Sequence, residues 1–289
     1  MSNFSKPPTK AIIPVAGWGT RRLPVAKSIE KCMLPICNRP VVDYSVEECV
    51  LAGIEDIFFV VSLDFEQLRS YYLTNTPLEE YLAKRGKTEV LAEVRAISRQ
   101  VNFHYVIQDP SGAYGTAVPV WNARDAIQKD EQFVVVFGDD FIFHASGEQD
   151  ELVRMKAAAA EHQTAGAILG VEMDAQRMSR YASIKTKQND QGLTLFDGLV
   201  EKPAPGTGPS NLASVSYYIL NDKVFPFVEQ VLQAPNEHGE HFLTDAVNDF
   251  AAAGNDMVVV PSTGQHLDGG NLEGWIEANN VVFAARKQG

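Results

Sequence analysis

Short apolar runs alternate with segments of helical periodicity along the first half of the chain, which predicts a parallel β-sheet covered by helices. The predicted strands of this half are four mostly apolar runs, at 11–16, 56–62, 102–107 and 133–138. Apolar residues recur at helical spacing between them, at 41–53, 64–72, 78–98 and 115–127. The segment at 78–98 is charged and rich in Ala and Leu, so we expect a surface helix or a pair of them there.

The second half continues the mixture of strands and helices without a break in composition, so we expect one continuous sheet. Its predicted strands lie at 165–172, 183–186, 193–201, 213–220 and 256–260. Gln191-Gly192 predicts a hairpin turn between two of these strands. Helical patterns at 242–253 and 272–286 complete the chain. The pattern alone therefore indicates a mixed α/β protein.

The first apolar run leads into a Gly-rich loop at 17–21, which is followed by Arg22, Lys27 and Lys31. Glycines let a backbone approach a ligand closely, and free loop N–H groups beside Arg and Lys form an anion site. A dinucleotide fingerprint would need a third glycine where Arg22 stands, and the Gly-Lys-Ser/Thr of a Walker loop is absent. The loop thus predicts a phosphate site of another kind, at the sheet edge where open α/β sheets bind ligands.

Charge and composition narrow the function further. The net charge of −12 argues against nucleic-acid binding and against an acidic membrane as partner. No run of about 18 apolar residues predicts a membrane span, and residues 1–9 are polar and lack the apolar centre of a signal peptide. The three cysteines fit no disulfide or zinc pattern, so we expect a reducing cytoplasm.

Two carboxylates, Asp139 and Asp140, end the apolar run at 133–138. A strand end can place a carboxylate beside bound phosphates, and Mg²⁺ prefers one or two carboxylates together with phosphate and water oxygens. A solvated turn is equally typical of Gly-Asp-Asp, and the later Asp-Gly-Gly-Asn at 268–271 by itself is usually a turn. The residues alone leave both interpretations open.

Residues 17–35 closely resemble the signature of the sugar-nucleotide pyrophosphorylases, G-x-G-T-R-x-x-P with a Lys shortly before a Leu-Pro pair. Within that superfamily the chain is most similar to the bacterial UTP–glucose-1-phosphate uridylyltransferases. The matching residues are Gly17, Gly19, Thr20, Arg21, Pro24, Lys31, Leu34 and Pro35. The resemblance implies an α/β fold in one domain, with a Rossmann-like, mixed but mainly parallel central sheet flanked by helices. It also implies a polar tail at 1–9 and a nucleotidyltransferase domain at 10–289, with a nucleotide half at 10–150 and a sugar half at 151–289.

Further family motifs recur in order along the chain, and through them the resemblance assigns roles to single residues. It implies that Arg21, Lys31 and Lys202 act in catalysis and that Asp139 and Asp268 bind the metal. The residues implied to bind the nucleotide are Ala16, Gly17, Gly19, Thr20, Gln108 and Gly115. Those implied to bind or surround the sugar phosphate are Asp140, Ala182, Glu201, Lys202 and Glu240. Relatives carry a neutral residue at the position of Asp140, so we expect its side chain behind the ligands or in solvent.

The reaction that the resemblance implies is Mg²⁺-dependent nucleotidyl transfer. A phosphate oxygen of glucose 1-phosphate attacks the α-phosphorus of UTP in line, giving UDP-glucose and pyrophosphate. UTP and glucose 1-phosphate are thus the expected partners, with neither nucleic acid nor membrane, and relatives suggest a homodimer or homotetramer.

Three residues depart from the family pattern and bear on selectivity. Glu30 replaces a Pro and would bring negative charge beside the triphosphate, and Cys32 replaces a Glu near the nucleotide. Ala182 replaces a Gly, and its methyl group would narrow the sugar pocket. A thymidylyltransferase, or an enzyme for another hexose 1-phosphate, is therefore the first alternative. The second alternative is a non-catalytic regulator that binds a sugar nucleotide.

Overall fold

The computed structural model describes residues 6–99, 101–144, 150–234 and 239–287. Its strands, numbered in chain order, are β1 (Lys10–Pro14), β2 (Pro35–Ile36), β3 (Arg39–Pro40), β4 (Asp56–Val61), β5 (Asn102–Ile107), β6 (Gln132–Val136), β7 (Asp140–Phe143), β8 (Gly166–Glu172), β9 (Ala182–Gln188), β10 (Thr194–Glu201), β11 (Leu212–Asn221), β12 (Met257–Pro261) and β13 (Gln265–Asp268). Its α-helices are α1 (Val41–Leu51), α2 (Glu66–Tyr72), α3 (Thr76–Lys84), α4 (Thr88–Ile97), α5 (Ala117–Asn122), α6 (Glu151–Glu161), α7 (Ala175–Met178), α8 (Phe225–Gln233), α9 (Leu243–Ala252) and α10 (Leu272–Arg286).

A nine-stranded sheet forms the centre of the protein, with the strand order β5-β4-β1-β6-β11-β8-β12-β10-β9. The first four strands of this order pair in parallel, and so do β8 and β12. Within the described residues, only β10 and β11 run against the other strands of this sheet. The predicted mixed, mainly parallel sheet is thereby confirmed, and the predicted Gln191-Gly192 turn joins the antiparallel strands β9 and β10.

Both faces of this sheet are buried, which explains why its strands read as continuous apolar runs. Along β1 the side chains alternate between two hydrophobic cores, with Ala11 and Ile13 in one and Ile12 in the other. Helices α1, α2 and α6 contribute to the first core, and α5, α8 and α9 contribute to the second. The helices therefore flank the sheet on both sides, as predicted.

The segment at 78–98 forms a pair of helices, α3 and α4, which is one of the two expected arrangements, because the chain turns at Gly86 with a φ of +66°. Other elements differ from the sequence-based expectation. The helix predicted at 115–127 is shorter, since α5 ends at Asn122 and one 3-10 turn follows at Arg124–Ala126. Helices α6 and α8 and the short two-stranded sheet of β7 and β13 were not anticipated.

The division into a nucleotide half and a sugar half stays a prediction, since one sheet runs through both. Residues 1–5 of the predicted polar tail lie outside the described residues.

Candidate active site

The loop after β1 is bent back so that it covers Lys31. Gly19 has a φ of +61°, and a Cβ atom at this position would lie 3.0 Å from the Cβ atom of Lys31. Only glycine accommodates both the left-handed backbone and this close approach. A single 3-10 turn, Thr20–Arg22, then leads away from the loop and leaves the Arg21 side chain exposed.

Lys31 forms an ion pair with the first of the predicted metal ligands. Its ammonium group donates a hydrogen bond to Oδ2 of Asp139, which follows the strand β6. Burial alone would raise the pKa of Asp139, but Lys31 and the nearby Arg21 guanidinium outweigh burial and hold this pKa below its usual value. The Asp139 carboxylate is therefore ionised at neutral pH.

Asp268, the second predicted metal ligand, reaches the same place through the pairing of β13 with β7. Its Oδ1 atom accepts a hydrogen bond from the backbone N–H of Gly270 at 2.6 Å. Its Oδ2 atom accepts hydrogen bonds from Nδ2 of Asn271 at 2.6 Å and from the hydroxyl of Tyr181 at 3.2 Å. These contacts fix the orientation of the Asp268 carboxylate. Tyr181 and Asn271 were not among the predicted site residues, although Asn271 closes the Asp-Gly-Gly-Asn motif.

The two carboxylates and the lysine converge on one point. A Cβ atom at Gly270 would lie 2.8 Å from Oδ1 of Asp268, 3.3 Å from Oδ2 of Asp139 and 3.7 Å from Nζ of Lys31. We call Lys31, Asp139 and Asp268 the Gly270 cluster. The absence of a side chain at Gly270 keeps the space between these three charged groups open.

The Gly270 cluster fits a hard divalent cation that binds together with a phosphorylated substrate. Within the described residues, no group of three or more His, Cys, Asp or Glu side chains could hold a metal by itself. Two carboxylates are nevertheless what Mg²⁺ commonly takes from a protein when phosphate and water oxygens complete its coordination. The donor set therefore suits a metal that arrives with a phosphorylated substrate.

A cavity of about 210 Å³ extends from the Gly270 cluster along the ends of β1, β5 and β6. Its lining includes these predicted site residues: Ala16, Gly17, Lys31, Gln108, Gly115, Asp139 and Glu240. The Oε1 atom of Gln108 is buried and has no hydrogen-bond partner among the described residues. A buried amide oxygen without a partner is costly, so a donor group that reaches this atom would be favoured.

Gly115 shapes the wall of this cavity. Its φ is +133°, and a Cβ atom there would lie 2.5 Å from the backbone nitrogen of His241. The two segments are joined by hydrogen bonds from Ala117 N to His241 O (3.0 Å) and from His241 N to Tyr114 O (2.9 Å). Because glycine alone permits this approach, Gly115 brings the segment that carries Glu240 to the cavity.

Glu201 and Lys202 lie at the end of β10, outside the cavity lining. The Lys202 ammonium is 3.7 Å from Oε1 of Glu201 and 5.8 Å from the ring centre of Phe242. Burial, together with the nearby Asp245 and Glu240 carboxylates, raises the pKa of Glu201 despite the ammonium beside it. The Lys202 backbone N–H donates to the carbonyl of Tyr181 at 3.1 Å, which ties this strand end to the segment that orients Asp268.

Two of the predicted sugar-phosphate residues are turned away from the cavity. Asp140 accepts a hydrogen bond from Nε2 of His266 at 2.9 Å, and its side chain is only 13 % exposed. Burial raises the pKa of Asp140 to about 6. Of the two places expected for Asp140, behind the ligands or in solvent, the structure therefore has the first, since its side chain lies behind the Gly270 cluster. Ala182 is 5 % exposed, and its methyl group packs in the second hydrophobic core, so it does not narrow the cavity as expected.

Glu30 and Cys32, the two residues near the loop that depart from the family pattern, have different surroundings. Glu30 faces helix α2, where its Oε1 atom accepts from the backbone N–H groups of Gln67 (2.6 Å) and Leu68 (3.3 Å). Its charge thus lies at a helix N-terminus, contrary to the expectation that it would stand beside the triphosphate. Cys32 is 3 % exposed and does line the cavity, and burial raises the pKa of its thiol.

The residues 10–284 match the model of the family described as "Nucleotidyl transferase". A UTP–glucose-1-phosphate uridylyltransferase of Bacillus subtilis is 37 % identical over 240 residues, which is 82 % of this chain and 78 % of that protein. A second one, from Staphylococcus saprophyticus, is 36 % identical over 280 residues, or 96 % of this chain and 93 % of that protein.

Solved structures give the same result. An apo UDP-glucose pyrophosphorylase superposes with a TM-score of 0.87 at 29 % identity, covering 96 % of this chain and 99 % of that one. A UTP-bound enzyme of the same type from Acinetobacter baumannii gives 0.82 at 31 % identity, covering 95 % and 93 %. Among the described helices, none has the length and apolar character needed to span a membrane. The chain therefore belongs to the nucleotidyl transferase family and, within it, to the UTP–glucose-1-phosphate uridylyltransferases.

Proposed function

We propose that this protein transfers the uridylyl group of UTP to glucose 1-phosphate and releases pyrophosphate. The observation that carries the proposal is the Gly270 cluster at one end of a cavity that is also lined by Gln108, whose buried amide oxygen has no partner among the described residues. The first feature suits a phosphorylated substrate with a divalent cation, and the second suits a base with an N–H group. The relatives described above act on UTP and glucose 1-phosphate according to their names.

The cavity suggests how the nucleotide binds. A Gln amide presents an acceptor and a donor, so Gln108 can accept from the N3–H group of uracil and donate to a neighbouring carbonyl oxygen. Thymine presents the same pair of groups, which keeps dTTP as the alternative nucleotide. The backbone of Gly115 would flank the base. Ala16 and the loop residues Gly17, Gly19 and Thr20 would hold the phosphates through backbone N–H groups.

The transfer requires little proton chemistry from the protein. A phosphate monoester has its second pKa at about 6, so the attacking oxygen of glucose 1-phosphate is largely ionised at neutral pH. The protein must hold two mutually repelling anions in line, and charge neutralisation and positioning supply most of the rate. In this proposal Arg21 and Lys31 neutralise the triphosphate and the departing pyrophosphate. Lys202 holds the sugar phosphate, while Glu201 and Glu240 accept hydrogen bonds from sugar hydroxyls.

We propose Mg²⁺ as the metal, with Asp139 and Asp268 as its protein ligands. Bound there, the ion would neutralise charge on the phosphate oxygens. Lys31 already faces Asp139, so the two can separate when substrate and cation enter, because a phosphate would pair with the lysine and the cation with the carboxylate. The side chains of Asp140 and Ala182 receive no direct contact with the sugar phosphate in this proposal, since they point elsewhere, and only the backbone of Ala182 would approach the sugar.

Pyrophosphate release with Mg²⁺ and glucose 1-phosphate tests the proposal, with UTP, dTTP, CTP, ATP and GTP compared in parallel. We expect strong release with UTP. Preferred release with dTTP would favour the thymidylyltransferase, and release only with another sugar phosphate would change the acceptor. If the protein bound UDP-glucose but released no pyrophosphate with any pair of nucleotide and sugar phosphate, the proposed enzymatic activity would be contradicted. That result would favour the non-catalytic regulator.

Two lysine variants sharpen this test. Lys31→Met should lower kcat/KM on the order of 10²–10³, as expected for loss of a preorganised charge in a catalytic site. Lys185→Met is the matched control, because Lys185 also forms a close lysine–aspartate pair, with Asp197 (2.7 Å), outside the cavity and the Gly270 cluster. Its activity should stay within about twofold of wild type, since exposed ion pairs contribute little. Equal loss in both variants would contradict the role of Lys31.

A homodimer or homotetramer and a cytoplasmic location remain predictions from the family resemblance. Light scattering coupled to size-exclusion chromatography tests the first of them directly.

A further inference from the structure

Arg22 is buried although it directly follows the exposed Arg21 in the phosphate loop. Its side chain is 5 % exposed, whereas charged groups are seldom buried without partners. The family signature leaves this position open, as the x directly after the R in G-x-G-T-R-x-x-P. We therefore infer the role of Arg22 from its contacts.

These contacts join the phosphate loop to the start of helix α10. The Nη1 atom of Arg22 donates a hydrogen bond to the backbone carbonyl of Asn271 at 2.6 Å. The guanidinium lies over the ring of Trp275, 5.3 Å from its centre. A hydrogen bond from a charged donor is among the stronger ones in proteins, and a cation over an indole ring adds to it.

The receiving residue, Asn271, connects Arg22 with a ligand of the Gly270 cluster. Its Oδ1 atom accepts from the Gly274 N–H at 2.9 Å and so caps α10. Its Nδ2 atom donates to Oδ2 of Asp268 at 2.6 Å. A hydrogen-bonded connection thus runs from the phosphate loop through Asn271 to the Asp268 carboxylate.

Helix α10 is held against the loop region by other contacts as well. The Nε1 atom of Trp275 donates to the carbonyl of Pro35 at 2.8 Å, and the Cys37 N–H donates to Oδ1 of Asn279 at 2.8 Å. These bonds attach the helix without Arg22. What Arg22 adds is therefore the position of the phosphate loop relative to the turn that carries Asp268.

We propose that Arg22 is a positioning residue that aligns the phosphate loop with the Asp268 turn and thereby strengthens binding of the UTP–Mg²⁺ complex. This inference rests on the proposed function. Arg21 and Asp268 belong to these two segments, and they must engage one triphosphate and its cation together. Misplacement of one segment would weaken binding most when both are engaged, that is, when the metal is present.

The test is equilibrium binding of UTP by calorimetry, with Mg²⁺ and with EDTA, to wild type, Arg22→Met and Arg22→Lys. In Arg22→Met we expect the Kd for UTP to rise about tenfold with Mg²⁺, as for loss of one hydrogen bond to a charged group, and about twofold or less with EDTA. Arg22→Lys should recover most of the affinity, because an ammonium group can donate to the same carbonyl.

Arg124→Met is the matched control, since Arg124 donates to the carbonyl of Trp121 (2.9 Å) and lies over its ring (4.3 Å) outside the site. It should not change the Kd, while its melting temperature should fall about as much as that of Arg22→Met.

Two results would overturn the inference. One is a Kd of Arg22→Met within twofold of wild type with Mg²⁺, and the other is an equal weakening with EDTA, which would point to a direct charge effect on the phosphates. A wild type that binds UTP but releases no pyrophosphate would refute the proposed function alone. A wild type that does not bind UTP would refute both.

Discussion

The placement of Glu30 leads to a prediction that separates stability from nucleotide selection. Glu30 caps helix α2 through its Oε1 atom, and its own backbone N–H donates to the side-chain oxygen of Gln67 at 2.9 Å. Glu30→Ala removes the carboxylate and leaves the N–H groups of Gln67 and Leu68 without this acceptor. Glu30→Gln removes the charge but keeps an acceptor of the same length.

The magnitude follows from the capping contacts. Loss of a helix cap costs about 1 kcal/mol of unfolding free energy. Unfolding of 289 residues carries an entropy of about 0.6 kcal/mol/K, taking ~2.1 cal/mol/K per residue. The melting temperature of Glu30→Ala should therefore fall by about 2 °C, and that of Glu30→Gln should fall by less.

Nucleotide selection should be unchanged in both variants, because the Glu30 carboxylate faces α2. The assay is scanning calorimetry together with the KM for UTP and the ratio of kcat/KM for UTP and dTTP. We expect both kinetic quantities to stay within twofold of wild type. If KM for UTP fell severalfold in both variants, the Glu30 charge would act on the triphosphate and the capping interpretation would be refuted.

Three further predictions concern the cavity and the stability of the fold. Gly115→Ala should lower the melting temperature and abolish UTP binding in calorimetry, because the new Cβ atom would overlap the facing backbone. Gly192→Ala is the control, since Gly192 also has a positive φ (+75°) but a Cβ atom there would have nothing within 4 Å. This variant should bind UTP normally. UTP should change the tryptophan emission of wild type through Trp18, which lines the cavity and is 70 % exposed, and an equal change in Trp18→Phe would contradict this. Asp150 caps α6, and burial raises its pKa to about 6. The folded state therefore favours the protonated carboxyl of Asp150, and the unfolding free energy falls as the pH rises through 6. Asp150→Asn should therefore gain more stability, relative to wild type, at pH 7.5 than at pH 5 in denaturant titrations. Asp174→Asn should show no difference between pH 5 and pH 7.5, because hydrogen bonds at its helix cap lower the pKa of Asp174, so its stabilisation is lost only below about pH 4.

The central sheet could be predicted from sequence because its strands are buried on both faces. Strands β1, β4, β5 and β6 appear as apolar runs whose observed ends lie within two residues of the predicted ones. The short strands β7 and β13 could not be found in this way. Each has four residues and contains a charged end, and they pair across more than a hundred residues of sequence. Their pairing depends on tertiary packing that no local pattern encodes.

The part of the site that lies at the ends of the sheet strands could be predicted from the sequence. Lys31, Asp139 and Gln108 meet because β1, β5 and β6 end at one edge of the sheet. The expectation that Glu30 stands beside the triphosphate was wrong, because it followed from the position of Glu30 one residue before Lys31. The backbone at Glu30 lies near the polyproline II region, with φ −53° and ψ 134°, so consecutive side chains point in different directions. Lys31 faces Asp139, and Glu30 consequently faces α2.

The Gly270 cluster depends on the pairing of β7 with β13 rather than on the central sheet. In the observed register Asp268 lies opposite Asp140, the residue after Asp139. Side chains alternate between the two faces of a strand, so a shift of one residue would turn Asp268 away from Asp139. The hydrogen bond between His266 on β13 and Asp140 on β7 joins the same two strands and favours this register. Asp140 thus contributes to the site without facing the cavity, through the strand pairing that brings Asp268 to Asp139.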